Sequence, residues 1–142
     1  MSYRKITILL VDDDDVDVMS IERAFLKQHI KNPLIRASNG FEALELLRGT
    51  AEQQPIEQPV LILLDINMPV MNGIEFLQVI REDRELKHIP VVVLSSSDEE
   101  RDVINAYNFN VAGYIVKPVD PEQFKAAIRI VDSYWMLCRI PE

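Results

Sequence analysis

Five short apolar runs recur along the chain at fairly even intervals: Ile6 to Val11, Leu34 to Ala37, Val60 to Leu64, Val91 to Leu94 and Tyr114 to Val116. They are rich in Val, Ile and Leu and largely continuous rather than alternating, the pattern of strands covered on both faces and hence of a parallel sheet. Parallel neighbours cannot be joined by tight hairpins, so the segments between the runs have to be crossover helices. Val18, Ile21 and Phe25 follow at i, i+3, i+7, and Phe124, Ile128, Val131 and Trp135 at i, i+4, i+7, i+11, each a stripe along one helix face. Asn39-Gly40 reads as a turn opening the second helix, Ser97-Asp98-Glu99-Glu100 as a capping box before the fourth, and Asp120-Pro121 as N-cap and first residue of the fifth.

Strands alternating with helices predict a doubly wound α/β fold with a five-stranded parallel sheet. A chain of 142 residues that is 48% hydrophobic suits one core, so residues 1–142 are expected to form a single domain. Gly49 to Pro59 is the one long polar linker, a surface loop between the second helix and the third strand. Fifteen Lys and Arg against 23 Asp and Glu leave a net charge of -8, which argues against nucleic-acid binding, since that needs a basic stripe. The lone Cys138 cannot form an internal disulfide, and the first apolar run is too short for a signal peptide or a membrane span. A cytoplasmic protein with no nucleic-acid or membrane partner is expected.

In such sheets ligands bind beyond the carboxyl ends of the strands, and here those ends carry the chemistry. Ile8-Leu9-Leu10-Val11 runs straight into Asp12-Asp13-Asp14-Asp15, the third run ends at Asp65, the fourth at Ser95 and the fifth at Lys117. If the first and third strands are neighbours, Asp12, Asp13 and Asp65 converge, and their repulsion calls for a hard divalent cation such as Mg2+ or Mn2+. Asp14, Asp15 and Asp17 suit the ordinary role of acids at a helix N-terminus. Asp65 alone would suit a turn ahead of Asn67 and Pro69. The combination of acid pair, later Asp, hydroxyl and amine instead fits a carboxylate nucleophile that accepts a phosphoryl group.

With these residues in place, the chain resembles the receiver domain of two-component response regulators from Ile6 to about Arg139, including Met68-Pro69-Val70-Met71-Asn72-Gly73 as the loop after the acceptor. The resemblance implies a flavodoxin-like fold with strand order 2-1-3-4-5 and a signalling protein rather than an enzyme, one that assists its own phosphorylation and dephosphorylation. It makes Asp65 the phosphoacceptor, Asp13 a direct metal ligand, Asp12 a ligand through water and Asn67 a ligand through its backbone carbonyl. Ser95 and Tyr114 take the switch positions, Lys117 the lysine position, and Lys117-Pro118 a cis bond. The donor is expected to be a sensor histidine kinase. The long loop from Gly49 and the tail around Ser133 to Leu137 are similar to single-domain regulators of phytochrome-type kinases. Having no output domain, such a regulator would act on a downstream protein by reshaping its fourth helix, fifth strand and fifth helix.

A haloacid dehalogenase-type phosphatase would need a second Asp where Asn67 stands, and a flavodoxin would need a Ser, Thr and Gly loop where the acids stand. A receiver reduced to a docking module is disfavoured by the intact acid, hydroxyl and lysine set. His29 and His88 read as solvated, and Met19, Met68, Met71 and Met136 as core fillers. Ile130, Tyr134, Leu137 and Ile140 lie off the inward stripe of the last helix and predict a homodimer through it.

Overall fold

In a computed structural model, which describes residues 6–58, 60–68, 70–95, 108–117, 120–126 and 129, β1 (Thr7–Val11) is buried along its whole length. It pairs in parallel with β2 (Leu34–Ala37) on one side and β3 (Val60–Asp65) on the other. β3 pairs with β4 (Val91–Ser95), and β4 with β5 (Gly113–Val116), so the parallel sheet has the order β2-β1-β3-β4-β5. The strands match the apolar runs to within one residue at each end.

Alternate strand residues feed two cores. Leu9, Val11, Ile62, Leu64 and Val93 meet α2 (Gly40–Arg48) and α3 (Gly73–Glu82) on one face. Ile8, Leu10, Leu61, Leu63 and Leu94 meet α1 (Asp15–Lys27) and Phe124 on the other. The Phe25 and Phe124 rings close this second core, with centroids 5.1 Å apart. Because both faces of β1 and β3 are dry, strand residues of either parity there have to be apolar, which is why those runs are continuous.

Each described helix start is capped by the residue type the sequence offers. Asn39 accepts from the Glu42 N–H, Asn72 and Glu75 form a reciprocal capping box, and Asp14 accepts from the Val16 N–H. His29 and His88 are exposed and Met68 and Met71 buried, as expected, but Met19 is exposed and fills no core. The capping box at Ser97, the fourth helix, Pro118, Ile128 and the tail from Ile130, with Val131, Trp135, Met136 and Cys138, lie outside the described residues. Among the described residues no helix is long and apolar enough to cross a membrane.

The approach to β5 hangs on Arg81, near the end of α3. Its Nε donates to the Phe109 carbonyl at 2.7 Å, and its Nη1 to the carbonyls of Lys87 and Ile89 at 2.8 and 3.0 Å. Phe109 is buried between Asn108 and Asn110, both left-handed, a conformation Asn tolerates better than most residues. Burial lowers the Arg81 pKa, yet the planar fork reaches the Phe109 carbonyl from one nitrogen and the Lys87 and Ile89 carbonyls from another, a spread that the single nitrogen of an ammonium does not offer. Arg81→Ala is expected to destabilise the fold by about 2 kcal/mol in urea titration, with Arg81→Lys recovering only part of it, because partly buried carbonyls lose their donor.

Candidate functional site

The acid run at the end of β1 divides into separate roles as soon as the strand stops. Asp12 turns inward and is fully buried, its Oδ1 accepting the Asp14 N–H at 2.9 Å. Asp14 caps α1, and Asp15 pairs with Arg36 Nη1 at 2.7 Å while Arg36 Nε donates to the Asp12 carbonyl at 3.2 Å. Arg36, on β2, thus fixes the turn that carries the acids. Asp13, the next residue, is exposed.

The register that sets Val11 beside Leu64 makes Asp12 and Asp65 the next residues on neighbouring strands. Asp65, the last residue of β3, is buried, and its Oδ1 accepts the Asn67 N–H at 3.3 Å. The chain can leave β3 this tightly because of Gly73. A Cβ there would stand 2.7 Å from Ile66 Cα and 3.0 Å from the Asp65 carbonyl oxygen, backbone that cannot yield. In the loop between them Val70 is held at φ 71, an outlier for a β-branched residue that stores strain in the turn after the acid.

Lys117 follows β5 directly and reaches across the sheet end. Its Nζ lies 2.6 Å from Asp17 Oδ2, 3.3 Å from Asp65 Oδ1 and 3.9 Å from Asp12 Oδ2. Burial raises the Asp12 pKa to about 7, since the Asp14 N–H and Lys117 offset only part of the lost hydration and Asp65 repels. Burial also raises the Asp65 pKa despite Lys117 and the Asn67 N–H, with the Asp13 charge adding to it. Burial would lower the Lys117 pKa, but the hydrogen bond to Asp17 and the carboxylates around it prevail and raise it.

Asp12 Oδ2 is buried and has no hydrogen-bond partner. Oxygens of Asp12, Asp17 and Asp65 lie within 4.8 Å of one another, a set that a hard divalent cation would satisfy. The site therefore fits the Mg2+ or Mn2+ that the sequence implies.

Of the residues singled out in the sequence, Asp12, Asp65 and Lys117 are brought together, and Asp13 stands at the edge, felt by Asp65 but outside the close set. Asn67 is exposed, with its N–H turned to the acceptor position. Ser95 ends β4 opposite Val116, which sets its backbone next to the strand that leads to Lys117, and Tyr114 is half-buried against the core shared with α2 and α3. Asp17 stands in the first turn of α1, as expected of an acid at a helix N-terminus, but it also meets Lys117, a contact the sequence reading did not assign. The signal was present, because Ile21 is buried and Asp17 lies four residues before it, on the same inward face of α1.

These shifts fix a pH dependence for the metal-free protein. A carboxyl with a pKa of 3.8 when unfolded and about 7 when folded holds its proton longer in the folded state. Stability therefore falls as pH rises from about 4 to about 7. In thermal melts with chelator present, Asp12→Asn is expected to be more stable than the parent at pH 7.5 or so and to lose most of the difference near pH 4. Equal melting behaviour of the two at both pH values would contradict the burial of this charge.

A family model for the response regulator receiver domain matches residues 8–129. The response regulator Rcp1 of Synechocystis sp. is 34% identical over 129 residues, 91% of this chain and 88% of its own, and the Mn(2+)-bound form of Rcp1 superimposes with a TM-score of 0.72. The bacteriophytochrome response regulator AtBRR is 35% identical with a TM-score of 0.82, over 99% of this chain and all of its own. The phosphorylated cyanobacterial phytochrome response regulator RcpA is 33% identical with a TM-score of 0.75, over 98% of this chain and all of its own. Strand order, acid pocket and family match agree: the chain belongs to the response regulator receiver domain family, and its structural neighbours include phytochrome response regulators.

Proposed function

We propose that this chain is a stand-alone response regulator whose Asp65 takes a phosphoryl group from a phosphohistidine of a sensor histidine kinase of phytochrome type. The observation that carries this reading is the buried Asp65 carboxylate, 3.3 Å from the Lys117 ammonium and beside a second buried carboxylate with an unsatisfied oxygen. An Asp65 oxygen attacks phosphorus, the new P–O bond forms as the P–N bond breaks, and the imidazole nitrogen keeps the electron pair and takes a proton from water. Lys117 offsets charge on the incoming phosphoryl oxygens.

A Mg2+ or Mn2+ held by Asp12, Asp13, Asp65 and the Asn67 carbonyl would supply Lewis-acid stabilisation of those oxygens. The Mn(2+)-bound form of Rcp1 and the phosphorylated RcpA support both parts of this reading. The output is protein contact with a downstream partner in the cytoplasm, switched through Ser95 and Tyr114, and the chain dimerises through its C-terminal helix. Sedimentation equilibrium at micromolar concentration tests that last part, with a monomer of both the parent and its phosphoryl mimic as the contrary result.

Incubation with acetyl phosphate and Mg2+, followed by intact mass measurement and peptide mapping, should show a single phosphoryl group on Asp65. Asp65→Asn and chelated samples should stay unlabelled. Label on Asp12 or Asp13, or undiminished labelling of Asp65→Asn, would refute the assignment.

A further inference from the structure

The first turn of α1 holds an acid that the receiver reading leaves without a role. Asp14 is the N-cap, so Asp17 stands at the third helical position, where an acid ordinarily reaches back to the N-cap N–H. Here that N–H is already taken by Asp12 Oδ1 at 2.9 Å. Asp15, its neighbour in the same turn, is paired with Arg36. Asp17 is thereby released from capping, and its inward position on α1 brings Oδ2 to 2.6 Å from Lys117 Nζ, nearer than Asp65 at 3.3 Å. The contact joins residues 100 positions apart and is partly buried, with Lys117 at 21% and Asp17 at 29% side-chain exposure, so solvent screens it less than a surface pair.

We propose that Asp17 is a positioning residue of the phosphoryl-transfer site: it anchors the Lys117 ammonium at the pocket rim and shares it with Asp65. This rests on Asp65 being the acceptor. An ammonium has three N–H groups, and the one directed at Asp17 is withheld from the oxygens of an incoming phosphoryl group. The Asp17 charge also deepens the negative potential in a pocket where its oxygen lies within 4.8 Å of oxygens of Asp12 and Asp65. The two effects oppose each other. Asp17 strengthens the attraction for a divalent cation and restrains the lysine that meets the phosphoryl group, so the residue trades transfer rate against cation demand.

The test uses the full chain and the variants Asp17→Asn, Asp17→Glu and Lys117→Met. Calorimetric titration with MgCl2, without any phosphodonor, should give a Mg2+ Kd for Asp17→Asn raised about threefold to tenfold, as loss of one nearby charge implies. At saturating Mg2+, its labelling by acetyl phosphate should be faster than that of the parent. Asp17→Glu, which keeps the charge, should return the Mg2+ Kd to within about twofold of the parent. In the Lys117→Met background, Asp17→Asn should no longer change the labelling rate, since the cycle isolates the pair.

A merely structural role predicts loss of both rate and affinity, and that result overturns the proposal, as does an Asp17→Asn variant unchanged in both. A rate effect that persists without Lys117 overturns the sharing of the ammonium. An unlabelled parent chain at saturating Mg2+ overturns the acceptor reading and this proposal with it. A labelled parent with an unaffected Asp17→Asn overturns the role of Asp17 alone.

Discussion

Two carboxylates buried side by side at the end of an otherwise apolar sheet are the constraint on which the rest of this structure depends. Asp12 follows and Asp65 closes a strand whose every residue is buried, on neighbours held in parallel register. Placing both charges there in the absence of compensation would cost several kcal/mol. The fold answers by bringing Lys117 from the end of β5, by turning the Asp14 and Asn67 N–H groups onto carboxylate oxygens, and by leaving Asp12 Oδ2 for a cation.

Much of the surrounding structure keeps this arrangement in place. Arg36 ties the acid turn to β2, and Gly73 allows α3 to seat directly against the chain that leaves Asp65. Arg81 holds the backbone that enters β5 from the far end of the molecule. None of these residues touches the Asp12 or Asp65 carboxylate, yet each sets a strand or turn that carries one of them or Lys117. The hydrophobic cores on the two faces supply rigidity, and the polar ties supply placement.

The fold was legible in the sequence because burial on both faces forces continuous apolar strands, and that signal survives any helix-level ambiguity. Asp12, Asp65 and Lys117 were legible for a related reason: each directly follows or closes such a run, and the strand-end rule gives all three one address. What could not be read was how five acids within six residues divide their work. Composition gives Asp12 and Asp13 the same standing, whereas the structure buries one and exposes the other. Asp14 capped as expected, but Asp17 did not, since the amide it would have capped had been taken by Asp12, a contact that depends on the turn itself. Arg36 and Arg81 carried no sequence signal, because their partners are backbone carbonyls and the turn acid, not a motif.

The most direct test is carboxylate titration by 13C NMR on protein labelled at aspartate. In the metal-free chain the Asp12 carboxyl is expected to titrate near pH 7, as its burial dictates, and added Mg2+ should pull that transition well down. An Asp12 that titrates near the ordinary 3.8 and is unmoved by Mg2+ would contradict the account.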